Sequence, residues 1–87
     1  MKFKSDDFSC PVGGLMVVAI YDEQTKQFTL EEATGYFYAS SGSQDALLSS
    51  SREFMEKHSG TFEDMESGIN YFESKGCEIP LPLLPQA

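Results

Sequence analysis

The chain has no tryptophan, one histidine, two cysteines and only six basic residues, and the basic residues are scattered. Each scarcity excludes something. Without a stripe of Lys and Arg there is nothing to displace counterions from a phosphate backbone, so direct nucleic-acid binding is not expected. Fourteen acidic residues would be repelled by an anionic membrane surface. Cys10, His58 and Cys77 include no close ligand pair of the CxxC or HxxxH kind, so no metal site is expected. No spacing joins a cysteine to His58 with an orienting Asn or Asp, so no catalytic residue is assigned and the chain is read as a non-enzyme that needs no cofactor. The doublets Asp6-Asp7, Asp22-Glu23, Glu31-Glu32 and Glu63-Asp64 lack the alternating oxygens and closing glutamate of a calcium loop and read as solvated surface.

Long apolar runs are missing as well. The longest, residues 15–21, is far too short to span a bilayer. Asp6 and Asp7 interrupt the place where a signal-peptide core would lie. The expected location is the cytoplasm, with both thiols free in a reducing compartment. In an exported protein a Cys10–Cys77 disulfide would staple the two ends of the chain together.

What is present is an aromatic core. Eighty-seven residues suffice for one domain, and an apolar content of 40% with seven Phe and four Tyr is too hydrophobic for a disordered chain despite a net charge of −8. Residues 1–14 read as an irregular or extended lead-in, with Phe3 and Phe8 packing down and Pro11, Gly13 and Gly14 breaking regular structure. The Cys10-Pro11-Val12-Gly13-Gly14 stretch precedes a strand, not a helix, so it reads as a bend and not as a phosphate cradle. Residues 15–21 are apolar on both faces and rich in β-branched side chains, which predicts a central strand. Residues 27–32 alternate, with Phe28 and Leu30 on one side, and predict a half-buried strand after a polar turn. Tyr36, Phe37, Tyr38 and Ala39 predict a third strand or the end of a long second one.

At Ser41 the apolar period changes from two to 3.6. Ser41 with Gln44, or Ser43, supplies a helix cap. Leu47, Leu48, Ser51, Phe54, Met55 and His58 then share one face of a helix over 44–58, which Gly60 is expected to end in a left-handed cap. Thr61 is expected to cap a second helix over 62–75, with Phe62, Met65, Ile69 and Phe72 inward and Gly76 as the stop. Residues 77–79 are expected to be extended, with a further strand of the sheet allowed there. Residues 80–87 form an extended, Pro/Leu-rich tail.

The fold class is therefore a single α+β domain over residues 1–87. A small antiparallel sheet of two to three strands, with one further C-terminal strand allowed, carries two helices on one face in the order β-β-(β)-α-α-(β). The expected core is Val17, Phe28, Leu30, Leu48, Phe54, Met55, Phe62, Met65, Ile69 and Phe72.

With no site chemistry, the reading is an acidic protein-interaction module of unknown partner, with a twin subunit as one candidate. Tyr36, Tyr38, Leu81, Leu83 and Leu84 form the candidate surface, because tyrosines concentrate at interface hot spots and terminal leucines otherwise lack a purpose. One alternative is an acidic DNA mimic that blocks a nucleic-acid site on a host protein. A second is a small-ligand protein or enzyme using Cys10 or His58. In composition alone, the profile is similar to small proteins carried by phages and mobile gene cassettes, a likeness that assigns no residue a role.

Overall fold

The computed structural model describes residues 1–34 and 42–86. The described elements are β1 (Lys2–Lys4), β2 (Phe8–Ser9), β3 (Met16–Asp22), β4 (Gln27–Glu32), α1 (Gly42–His58), β5 (Gly60–Thr61), α2 (Met65–Ser74) and β6 (Leu84–Gln86). They build an α+β fold with one antiparallel sheet of six strands, ordered β5-β4-β3-β1-β6, with β2 also paired to β3. The strands expected over 15–21 and 27–32 are β3 and β4, paired from Val17↔Glu32 to Asp22↔Gln27. The expected third strand at Tyr36 to Ala39 lies outside the described residues, as does the Ser41 cap. Ser43 is already inside α1, so it is not the cap.

The N-terminal lead-in is not irregular, because it pairs with β3. Phe3 faces Tyr21 and Phe8 faces Val17, so five residues of the first segment span four of the second. That one-residue excess is a bulge over residues 5–7, entered at Ser5, whose N–H donates to the Ala19 carbonyl at 2.9 Å while its Oγ accepts from the Ala19 N–H at 2.9 Å. Strict alternation would send Phe3 and Phe8 to opposite faces, and the bulge returns both to the helix side. The turn from β2 to β3 uses Gly13 and Gly14 at φ 84° and 78°, where side chains are strained.

The helix side of the sheet holds Val17, Ala19, Tyr21, Phe28 and Leu30, all buried. Phe72 of α2 stacks on Phe28 with ring centroids 5.2 Å apart, and Phe62 meets the same ring edge-on at 6.1 Å. Phe54 and Met55 of α1 are buried, whereas Leu48, Phe62, Met65 and Ile69 are partly buried against the same core.

Three boundaries differ from expectation. Gly60 does not take a left-handed cap, because it continues into β5 and pairs with Phe28. Thr61 belongs to that strand, so α2 begins later. Its cap is Asp64, whose Oδ1 accepts the Ser67 N–H at 2.8 Å. Residues 77–79 form no strand, and the C-terminal strand comes after the prolines, at Leu84–Gln86. Gly76 at φ 101° does end α2 as expected.

Candidate functional site

Tyr36 and Tyr38 lie outside the described residues. The three leucines of the candidate surface separate. Leu83 is 5% exposed and packs in the core, so it anchors the tail and offers no surface. Leu81 and Leu84 are 57% and 56% exposed. Ile79 is buried too, so the exposed pair rides on a segment fixed at two points.

Register places Leu84 on the sheet face opposite the helices. It pairs with Lys4, Lys4 with Ile20, and Ile20 with Thr29, giving one row across four strands. Met16 and Val18 share that face with Ile20. Beside Leu84 lies a groove of about 310 Å³ lined by Lys4, Asp6, Asp7, Val18 and Thr34 among others. Sequence reading missed this row because the C-terminal strand was allowed at 77–79. The available signal was Met16, Val18 and Ile20, which make β3 apolar on its second face.

The sheet edges are guarded. Odd residues of the first strand bond toward β3, as Ser5 N–H to Ala19 shows, so Lys2 and Lys4 bond toward β6. Pro85, opposite Phe3, therefore turns its missing N–H outward and blunts that edge. On the other edge, β5 covers only Gln27 and Phe28. Beyond it, Ser59 Oγ accepts the Leu30 N–H at 3.3 Å, and Arg52 forks onto Glu32 with two bonds of 3.1 Å. That fork holds the Glu32 carboxyl below its usual range.

Cys10 and Cys77 are both buried free thiols in the same core cluster. Burial, and then the neighbouring Cys10, pushes the Cys77 thiol up to about 11. Chain ends far apart in sequence are thus adjacent in space, and a Cβ added at Gly76 would lie 3.3 Å from Pro11 Cβ. His58 Nδ1 is 2.7 Å from the Tyr71 hydroxyl and packs on Phe54 at 4.6 Å. Burial, then Lys75 and Lys57, holds its pKa below the ordinary value, outweighing the helix-end dipole that favours the charged ring. Among the described residues no three His, Cys, Asp or Glu groups are placed to hold a metal ion, and no helix is long and apolar enough to cross a membrane. No family model matches the chain, and no match was found among curated proteins or solved structures.

Proposed function

We propose that the chain is a small acidic protein-interaction module without catalytic activity, working in the cytoplasm and meeting its partner through Leu84 and Leu81. The observation that carries this reading is the pairing of an anchored tail with outward leucines: Leu83 is buried while Leu84, the next residue, is 56% exposed. A leucine held rigid in a strand loses little further entropy when a partner covers it, so its burial contributes nearly in full. The guarded edges favour contact through side chains over strand addition. The two free thiols support a reducing compartment.

Exposed carboxylates occur in the 5–7 bulge, on β4 and on both helices (Asp6, Glu31, Glu53, Glu66), and that spread supports a general binding module over a DNA-like array. The test is affinity capture from native extract with wild type and Leu84→Asp as baits, with sedimentation equilibrium to detect a twin subunit. The expected result is a retained macromolecule, or a self-associated mass, lost from Leu84→Asp at unchanged Tm. Equal behaviour of the two baits sinks the reading.

A further inference from the structure

On the opposite, helix-bearing face lies a separate groove of about 380 Å³. Phe3, Tyr21 and Met65 line it, and Glu23, Lys26, Glu63 and Asp64 complete its wall. Tyr21 is only 5% exposed and its ring packs 6.0 Å from Phe28. A phenol this buried normally finds a hydrogen-bond partner. Among the described residues the Tyr21 hydroxyl has no hydrogen-bond partner, and no side-chain oxygen or nitrogen there is both fully buried and unpartnered. The free hydroxyl therefore reaches the groove.

The charge of the wall selects the occupant. Three carboxylates stand against one ammonium, and Lys26 Nζ is already tied to the Glu63 carbonyl at 3.1 Å. Asp64 is held ionised by the Ser67 N–H bond to its carboxylate. Glu23 meets the Met1 amino group at 3.4 Å, but both are more than half exposed, so that pair is weak. Burial first, then Asp64, Glu23 and Asp22, raises the Tyr21 pKa, so its hydroxyl keeps its proton and its lone pairs can accept.

We infer that this groove receives the guanidinium of an arginine presented by a protein partner. A planar guanidinium stacks on aromatic rings, carries five donors for Tyr21 and the carboxylates, and is less hydrated than an ammonium, so it is desolvated at lower cost than lysine. A net charge of −8 steers basic partners to the chain. This inference does not rest on the Leu84 surface, which lies across the sheet.

The test is NMR titration of the full chain with N-acetyl-arginine amide, N-acetyl-lysine amide and N-acetyl-citrulline amide. Citrulline keeps the shape of arginine and lacks its charge. The arginine probe should shift Phe3, Tyr21 and Met65 saturably, the lysine probe more weakly, and the citrulline probe not at all. Tyr21→Phe, which removes only the hydroxyl, should weaken arginine binding about tenfold at unchanged Tm. Glu63→Gln, on the exposed wall, should weaken it by a smaller factor and stands in should Tyr21→Phe fail to fold. No saturable shift, an equal response to either control probe, or unchanged binding in the folded variants overturns the assignment. Loss of the Leu84-dependent partner would leave these titrations unaffected, so the two readings fail separately.

Discussion

Gly68 of α2 lies directly over the ring of Phe28: a Cβ built on its backbone would fall 2.3 Å from Phe28 Cδ2 and 2.8 Å from Cγ. Two effects oppose each other in Gly68→Ala. Helix propensity favours alanine by about 1 kcal/mol. Overpacking a filled core costs about 1–3 kcal/mol, and here the clash is with a fully buried ring that Phe72 and Tyr21 hold in place. The clash should win, lowering Tm. Gly60→Ala, where a Cβ meets nothing within 4 Å, should be neutral or slightly stabilising. Thermal unfolding of the two variants checks both signs, and a stabilised Gly68→Ala would refute the packing described.

Ser51 is fully buried on α1, and its Oγ accepts the Leu15 N–H at 3.2 Å while donating to the Val12 carbonyl. One hydroxyl thus ties the helix to the glycine turn before β3. Ser51→Ala should cost about 1–3 kcal/mol, because it strands a buried N–H. Ser49→Ala, at an exposed position of the same helix, offers a comparison for helix propensity alone. Denaturant melts should show a lower midpoint for Ser51→Ala at unchanged slope.

The periodic segments were legible because each answers to its own pattern. The alternation at Phe28 and Leu30 gave β4, and the 3.6 spacing of Phe54, Met55, Ile69 and Phe72 gave the helix faces. What was not legible depends on long-range partners. Lys2–Lys4, Phe8–Ser9 and Leu84–Gln86 are too short to announce themselves, and they are strands only because β3 and then β1 stand beside them. Thr61 has a good cap side chain, yet pairing with Gln27 claimed it for β5 and left the cap to Asp64. The outward face of Leu84 and the free hydroxyl of Tyr21 required that same register, so neither site could be read along the chain alone.

His58 should make stability fall on mild acidification. Its imidazole has a folded pKa below the ordinary 6.5, chiefly through burial. Below that unfolded value the unfolded chain binds the proton more readily than the fold, so stability rises with pH across the window. The contribution is complete above pH 6.5 and is lost as pH falls through the depressed folded value. Tm measured through this window should slope upward with pH for wild type and be flatter for His58→Gln. Equal slopes would mean that the ring is not buried as described.

Cys77 should be inert in the native protein. A thiol pushed up to about 11 holds almost no thiolate at neutral pH, and burial blocks the reagent as well. Alkylation with iodoacetamide at neutral pH should leave Cys77 unmodified until denaturant is added, after which mass spectrometry should find both cysteines modified. Rapid modification of Cys77 in the folded chain would contradict its placement.

The tail should behave as part of the domain. Leu83 packs in the core with Ile79, and Leu84–Gln86 pair with β1. Leu83→Ala removes buried methyl groups and should cost roughly 2–5 kcal/mol. Leu84→Ala removes exposed ones and should change stability by less than about 0.5 kcal/mol. Deleting residues 80–87 removes the buried leucine and uncovers the outer edge of β1 together, so it should lower Tm by more than Leu83→Ala does. Hydrogen exchange separates this from a docked but unpaired tail. Alternation makes the Leu84 and Gln86 amides the ones bonded to β1, so these two should be protected in the parent chain. If both exchange freely and truncation leaves Tm unchanged, β6 does not form in solution and the outward presentation of Leu84 fails with it.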